Sequence, residues 1–248
     1  MQIWISGIGG HMGRAVLAQC RATGIEVVGG IDLQPLEDEA IPVYHSFDEA
    51  PVKGDAIIDF SKPGALEPLL RYAARNSIPA VIATTGLDEK QLHDINQAAE
   101  RVPIFRSANM SIGVALLRQL SRKAAQVLGD DFDVEIVETH HNRKADAPSG
   151  TALMLYDAVQ AAYDEPHPMV PGRYGRNCKR QKGEIGIHAL RGGTVVGEHE
   201  VCFFGPMERI KLSHSAENRA VFAVGAVRAA QFLIGREPGL YTMDDLLA

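Results

Sequence analysis

The sequence predicts an α/β fold in two parts: an N-terminal domain built on a parallel sheet, and an α+β domain with an open mixed sheet. Three observations support this prediction. Short apolar runs alternate with helical periodicity over the first part of the 248-residue chain, which is typical of βαβ units. A glycine-rich turn follows the first apolar run. After about residue 110, strand-like runs follow one another without helices, which indicates an antiparallel or mixed sheet.

The spacing of apolar residues defines the elements of the N-terminal part. Strands are predicted over residues 3–6, 26–31, 56–60, 80–83 and 103–106. Helices are predicted after the glycine-rich turn, over 64–76 and over 88–101. The first two helices each carry an inward apolar stripe, formed by Met12, Val16, Leu17 and Cys20 and by Leu66, Leu69, Leu70 and Ala73.

The pattern changes near residue 110, which is the predicted domain boundary. Apolar and acidic residues alternate from Phe132 to Ile136, as in a half-buried strand, and helices are predicted on either side, over 114–128 and 149–162. Residues 163–183 are rich in Pro, Gly, Arg and Lys and are predicted to form an exposed loop. The remaining elements are strands over 184–190, 195–204 and 209–214 and a closing helix over 219–233.

Composition excludes several classes of protein. The net charge of -6 argues against a nucleic-acid-binding protein. Three scattered cysteines are too few for a disulfide framework and lack metal-ligand spacing, so reduced thiols are expected. The N-terminal run lacks the features of a signal peptide, and no window is apolar enough for a membrane helix. A cytoplasmic protein is therefore expected.

The glycine-rich turn has the features of a phosphate-binding loop. Gly7, Gly10 and Gly13 are spaced as G-x-x-G-x-x-G, whereas a strict G-x-G-x-x-G would need glycine at Met12. Such a turn lets a pyrophosphate approach the N–H groups and the dipole at a helix N-terminus. Asp32, at the end of the second strand, stands where a carboxylate binds the adenosine ribose. These features predict a dinucleotide-binding Rossmann domain; a tight turn without a ligand is the alternative.

The choice of dinucleotide follows from charge. A carboxylate at the ribose repels the 2′-phosphate of NADP, and NADP sites usually place an arginine there. Asp32 is followed by Leu33 and Gln34, and the nearest candidate cation is Arg14. NADH is therefore favoured, with use of NADPH left open.

A second polar segment lies between a strand and a helix. His140, His141, Arg143 and Lys144 gather positive charge and proton donors within five residues, and Pro148 and Ser149 mark the start of the helix. The N–H groups near Gly150 and Thr151 form a second candidate anion site. This arrangement is suited to a carboxylate substrate, and we expect the strand to end before His141.

Structural roles remain open for several of these residues. Asp146 and Ser149 are candidate helix caps, and Arg143 is a candidate solvated surface charge. Adjacent histidines rarely chelate one ion well, and no acid or cysteine set completes a metal site, so no metal is expected.

The run from Glu138 to Ala152 (ETHHNRKADAPSGTA) resembles the signature of the dihydrodipicolinate reductase family. Further segments resemble that family in the same order, at residues 7–14, 59–63, 83–86, 108–114, 196–199 and 225–228. The resemblance covers nearly the whole chain. It implies a Rossmann domain of residues 1–109 joined by residues 219–248, and a substrate-binding domain of residues 110–218 whose open sheet builds a homotetramer.

The resemblance also implies an activity and its residues. The family transfers hydride from NADH or NADPH to the cyclic dicarboxylate made by dihydrodipicolinate synthase, with loss of water, in the diaminopimelate route to lysine. By resemblance, His140 is the proton donor assisted by Lys144, and the carboxylates are held by His141, Lys144, Gly150 and Thr151. The implied cofactor-binding residues are Gly7, Ile8, Gly9, Gly10, His11, Met12, Asp32, Ala83, Thr84, Thr85, Ser107, Ala108, Asn109 and Met110.

Three departures and two alternatives accompany this interpretation. The segment between Asp32 and Asp55 is short. Met110 stands where the family often has phenylalanine, and Ser107 where a small apolar residue is usual. A related amino-acid dehydrogenase of the same two-domain build is one alternative. A nucleotide-sensing protein that has lost catalysis is the other, and the intact His140 and Lys144 argue against it.

Overall fold

The computed structural model describes residues 1–34, 36 and 41–248. The chain separates into two compact units. The first unit comprises Met1–Ile112 and Arg219–Ala248, and the second comprises Gly113–Asn218. In the described ranges, every helix is too short or too polar to span a membrane.

The first unit is a seven-stranded parallel sheet with helices. Its elements are β1 (Gln2–Ser6), α1 (His11–Ala22), β2 (Glu26–Ile31), β3 (Val43–Tyr44), β4 (Ala56–Asp59), α2 (Leu66–Asn76), β5 (Ala80–Ile82), α3 (Glu89–Ala99), β6 (Pro103–Arg106), α6 (Ala220–Leu233), β12 (Gly239–Tyr241) and α7 (Met243–Leu247). The strand order is β12-β6-β5-β4-β1-β2-β3, and every strand pair is parallel. The C-terminal segment therefore completes the sheet that the N-terminal segment begins.

Aromatic packing fixes the centre of this sheet. Trp4 on β1 is fully buried, and its ring makes edge contacts with Tyr44, Phe47 and Tyr72. A Cβ on Gly29 of β2 would lie 2.2 Å from the Trp4 ring, so glycine there makes room for the indole. Burial of such rings supplies much of the hydrophobic stabilisation of a domain core.

The second unit is a mixed sheet with two helices. Its elements are α4 (Ile112–Leu128, whose first residue belongs to the first unit), β7 (Asp133–His140), α5 (Gly150–Gln160), β8 (Met169–Pro171), β9 (Ile185–Arg191), β10 (Gly197–Phe204) and β11 (Arg209–Ala216). The strand order is β11-β10-β7-β9-β8. β10 is antiparallel to β7 and β11, whereas β9 is parallel to β7 and β8.

The two sheets confirm the predicted fold class. The alternation along β7 is also confirmed, because Val134 and Ile136 are buried in the core while Asp133 is exposed. β7 ends at His140, as expected, and the chain leaves the strand at His141.

Three short strands and one helix differ from the prediction. Residues 163–183 are not loop throughout, because β8 lies within them and pairs with β9. β3, β12 and α7 were not predicted either. Elements of two to five residues are too short to show a hydrophobic period, and the pairing partner rather than the local sequence determines the strands.

Candidate functional site

The glycine-rich turn joins β1 to α1 at the carboxyl edge of the parallel sheet. Gly7 has a positive φ of 77°, and a Cβ there would lie 2.8 Å from the carbonyl oxygen of Phe60. At Gly13 a Cβ would lie 2.1 Å from the carbonyl oxygen of Gly7 and 2.6 Å from the Cα of Ile8. Only glycine fits these two positions, so the start of α1 packs directly on the turn.

The beginning of α1 presents the donors that a phosphate needs. The helix starts at His11, and Gly10 precedes it as a cap residue with no side chain. The first turn of a helix leaves its N–H groups without partners in the helix, here those of His11, Met12 and Gly13. No acidic residue stands in this turn. The arrangement fits an anion.

Asp32, the carboxylate predicted to bind the ribose, lies against the turn. Its Oδ2 accepts a hydrogen bond from the N–H of Gly9 at 2.9 Å, and its Oδ1 accepts one from the N–H of Leu33 at 2.8 Å. The Nε of Arg14 donates to the carbonyl oxygen of Gly9 at 3.0 Å. The carboxylate and the guanidinium therefore both touch the turn through Gly9.

The loops after β5 and β6 leave the same edge of the sheet, because all these strands are parallel. Thr84 in the first loop donates to Oδ2 of Asp59 at 2.7 Å. Asp59 ends β4 and is fully buried, and burial raises its pKa although Ser61 and Thr84 donate to it. In the second loop, Ser107 Oγ donates to the carbonyl oxygen of Asn109 at 2.6 Å.

Met110 has a packing role in this loop. It is only 1% exposed, and a Cβ on Gly225 of α6 would lie 1.7 Å from the Met110 carbonyl oxygen. Close packing of α6 on the loop therefore requires glycine. The rest of the predicted cofactor set lies in the glycine turn and in these two loops.

The second unit holds a buried polar cluster at the end of β7, which we call the Glu138 cluster: Glu138, His140, Ser149, Arg191 and His199. Glu138 is 0% exposed and accepts four hydrogen bonds. Two come from Arg191, each at 2.8 Å. The others join its Oε2 to Nδ1 of His140 at 2.5 Å and its Oε1 to the N–H of Ser149 at 3.0 Å.

The donors around Glu138 determine its charge. Burial alone would raise the pKa of Glu138, but the hydrogen bonds from Arg191, His140 and Ser149 outweigh it and hold this pKa below its usual range. Glu138 is therefore an ionised carboxylate that only accepts, so His140 must carry its Nδ1 proton towards it. The Nε2 of His140 is left for proton transfer.

His199 lies beside His140 on the neighbouring strand. The two rings meet edge to face with centroids 5.1 Å apart, and Nε2 of His199 lies 3.2 Å from Oγ of Ser149. Among the described residues, its buried Nδ1 has no hydrogen-bond partner. Burial, with the nearby His140 as a second cause, lowers the pKa of His199 to about 4. His199 is therefore neutral near pH 7.

The pH dependence of stability tests this burial. Because the pKa of His199 falls from 6.5 in the unfolded chain to about 4 in the folded one, the unfolded chain binds more protons between these values. The free energy of unfolding should fall by about 3 kcal/mol as the pH drops through this window. Urea unfolding at each pH, followed by circular dichroism, measures this free energy. His199→Gln should flatten this part of the curve; an unchanged slope would contradict the assignment.

The residues after β7 form a turn that leads to α5. The N–H of His141 donates to the carbonyl oxygen of Val195 at 2.8 Å, and the N–H of Lys144 donates to that of His141 at 3.1 Å. Lys144 Nζ lies 2.8 Å from Oδ1 of Asp146. Arg143 is exposed, in agreement with a solvated charge.

The helix cap is Ser149, as predicted for that residue. Its Oγ accepts from the N–H of Ala152 at 3.2 Å. The cap prediction for Asp146 was wrong, because this carboxylate pairs with the cation of Lys144, which lowers its pKa. Gly150 is exposed at the first position of α5, and Thr151 follows it. Their N–H groups belong to the first turn, which can accept an anion.

The structure adds three residues to the sequence-predicted site. Glu138, Arg191 and His199 had no predicted role, although Glu138 and His199 lie within segments that carry the family resemblance. Arg191 and His199 lie on β9 and β10, opposite the end of β7, and strand register brings them to Glu138. In the part of the chain that the structure describes, no group of three His, Cys, Asp or Glu side chains could hold a metal ion.

Comparison with known proteins identifies the family. Residues 1–110 match the model described as "Dihydrodipicolinate reductase, N-terminus", and residues 113–247 match "Dihydrodipicolinate reductase, C-terminus". The chain belongs to the dihydrodipicolinate reductase family. It is similar to the 4-hydroxy-tetrahydrodipicolinate reductase of Caldanaerobacter subterraneus subsp. tengcongensis, with 50% identity over 250 residues that cover 100% of the chain and 98% of the relative. The enzyme of that name from Clostridium novyi is 43% identical and covers 99% of the chain and 98% of its own length.

Solved structures show the same fold. The dipicolinate-bound dihydrodipicolinate reductase from Paenisporosarcina sp. TG-14 aligns with a TM-score of 0.82 at 23% identity, over 98% of this chain and 97% of that one. The DAP dehydrogenase of C. glutamicum aligns with a TM-score of 0.60 at 13% identity, over 100% and 95% of the two chains. The fold is thus similar to that of a protein named as a dehydrogenase as well.

Proposed function

We propose that the chain is a 4-hydroxy-tetrahydrodipicolinate reductase that uses NAD(P)H. It reduces the cyclic dicarboxylate made by dihydrodipicolinate synthase, with loss of water, to tetrahydrodipicolinate in the diaminopimelate route to lysine. The observation that carries the proposal is the Glu138 cluster at the start of α5, where a buried carboxylate bonds both to the ring of His140 and to the N–H of Ser149, the cap residue of the helix. Full-length relatives that bear this enzyme's name support it.

The glycine turn, Asp32 and the loops after β5 and β6 would hold the dinucleotide. The fit rests on the space that Gly7 and Gly13 leave and on the uncapped first turn of α1. When bound, the reduced nicotinamide supplies a hydride. The Asp32 carboxylate disfavours a 2′-phosphate, so NADH is the favoured cofactor, and Arg14 is the one cation seen at the turn in the described residues.

The Glu138 cluster supplies the acid. A hydride that reaches a conjugated imine leaves negative charge on the ring, and a nearby acid must neutralise it. Glu138 fixes Nδ1 of His140 as a donor, so Nε2 carries the transferable proton in the imidazolium form, whose charge the Glu138 carboxylate balances. A dianionic substrate requires cations and N–H groups, for which we assign His141, Lys144, Gly150 and Thr151. Lys144 exchanges Asp146 for a substrate carboxylate in this scheme.

Domain roles and assembly follow from the same proposal. Residues 1–109 with 219–248 bind the dinucleotide, and residues 110–218 bind substrate and form a homotetramer in the cytoplasm. The sheet of the second unit supports the assembly, because Leu190 of β9 and Phe204 of β10 are exposed on the side opposite its buried core. Molar mass from light scattering tests the tetramer.

Binding of dipicolinate tests the substrate class. This planar dicarboxylate should raise the melting temperature of the wild-type chain, because both of its carboxylates find cations or N–H groups. Benzoate, with one carboxylate, is the control and should stabilise much less. No shift with dipicolinate, or an equal shift with benzoate, would contradict a dicarboxylate site.

A further inference from the structure

We propose that Glu138 is a positioning residue of the reaction, which orients the ring of His140 and fixes the start of α5 through one carboxylate held by Arg191. This inference deepens the proposed function and rests on it. In this proposal one buried carboxylate positions both the proton donor, His140, and the anion-binding start of α5.

The four hydrogen bonds to Glu138 carry the argument. Each carboxylate oxygen accepts one bond from Arg191 and one from a functional segment: Oε2 from His140, and Oε1 from the N–H of Ser149. Paired bonds of this fork geometry between arginine and carboxylate are strong and directional. The carboxylate therefore cannot rotate away from His140 without also losing Arg191 and the start of α5.

The bond to Nδ1 determines what His140 can do. It fixes the tautomer of the neutral ring and stabilises the imidazolium, as the buried aspartate does in a Ser-His-Asp triad. A Cβ on Gly197 of β10 would lie 3.1 Å from Nε2 of His140, so glycine there keeps the Nε2 edge of the ring clear.

The bond to Ser149 determines where α5 begins. Ser149 caps the helix through Ala152 and also contacts His199, while its N–H is held by Glu138. Gly150 and Thr151, the proposed carboxylate contacts, come directly after it. Displacement of the Glu138 carboxylate would therefore shift the proton donor and the anion site together.

Glu138→Gln tests the proposal, because it keeps the shape and removes the charge. An amide NH₂ in place of Oε2 would meet donors from both Arg191 and His140. We expect kcat to fall roughly 10- to 50-fold, less than on removal of the imidazole, with little change in the KM for NADH. The alkaline limb of the kcat profile should move to lower pH, since the imidazolium loses its partner. His140 contacts Glu138 and His199, Arg191 pairs with Glu138, and Lys144 and His214 are the further charged or titratable groups that act on His199.

The matched control is Glu135→Gln on the same strand. Glu135 lies on the opposite face of β7 and, like Glu138, is paired with arginine and histidine side chains, here Arg173, Arg180 and His188. Its replacement should leave kcat and the pH profile unchanged. An equal loss of kcat in both variants, or a wild-type profile in Glu138→Gln, would overturn the positioning role.

A second variant tests the same role if the first one does not fold. Should Glu138→Gln fail to fold, Arg191→Lys keeps a cation but loses the fork, and the same shift of the alkaline limb is expected with a smaller loss of kcat. A wild-type profile in Arg191→Lys would overturn the proposal. Absence of turnover in the wild type would instead refute the proposed function. In that case the nitrogen NMR shifts of the His140 ring, compared with and without the Glu138 carboxylate, would still test whether Glu138 orients this ring.

Discussion

Replacement of His140 by alanine is expected to lower kcat by about 1000-fold while the affinity for NADH stays nearly unchanged. A positioned general acid contributes about 100- to 10,000-fold to a rate, and His140 is the group whose Nε2 the Glu138 bond leaves ready for proton transfer. The glycine turn and Asp32 belong to the other unit and keep their own contacts. Steady-state kinetics and a fluorescence titration with NADH measure the two quantities.

His167→Ala is the control for this variant. His167 is another buried histidine of the second unit, stacked on Tyr163 and bonded to Asp130, away from the Glu138 cluster. The His167→Ala variant should have a lower free energy of unfolding but should keep the kcat of the wild type. If His140→Ala lost NADH binding as strongly as turnover, His140 would be a structural residue and the assignment would be wrong.

Gly13→Ala is expected to weaken NADH binding by about 100-fold, because the added methyl cannot be accommodated. Its Cβ would lie 2.1 Å from the Gly7 carbonyl oxygen and 2.6 Å from the Ile8 Cα, which are backbone atoms of the turn itself. Overpacking of this kind costs about 1–3 kcal/mol. The start of α1 must then move away from the glycine turn, and the two can no longer bind the pyrophosphate together. Calorimetric titration with NADH measures the change.

Gly64→Ala is the matched control for the glycine turn. A Cβ there has no heavy atom within 4 Å, and the residue has no positive φ. Its affinity for NADH should equal that of the wild type. Wild-type affinity in Gly13→Ala would show that α1 does not contribute to the dinucleotide site.

The sequence allowed the fold to be predicted well, because both sheets rest on elements with a clear period. The β2 and β6 strands have the predicted bounds, and the apolar residues predicted to face inward from α2 are buried. β3, β8 and β12 were missed since each has two or three residues. Their pairing partners, far away in sequence, determine that they form.

The site was predictable only where its residues are neighbours in sequence. His140, Lys144 and the start of α5 lie within one short segment, so their grouping was visible. Arg191 and His199 lie more than 50 residues beyond Glu138. They reach it through the parallel register of β7 with β9 and the antiparallel register of β7 with β10, which no local pattern reveals. The cap prediction for Asp146 failed for a different reason: capping and ion pairing use the same carboxylate, and Lys144 lies only two residues away.

The most direct test of the central claim is a coupled assay with purified dihydrodipicolinate synthase, which makes the substrate in place. The account predicts that NADH is oxidised only when the synthase and its substrates are present, that NADPH supports a lower rate, and that dipicolinate inhibits. The reaction is monitored as the loss of the near-ultraviolet absorbance of the reduced cofactor. No oxidation of either cofactor, by a folded chain that still binds NADH, would contradict the reductase assignment.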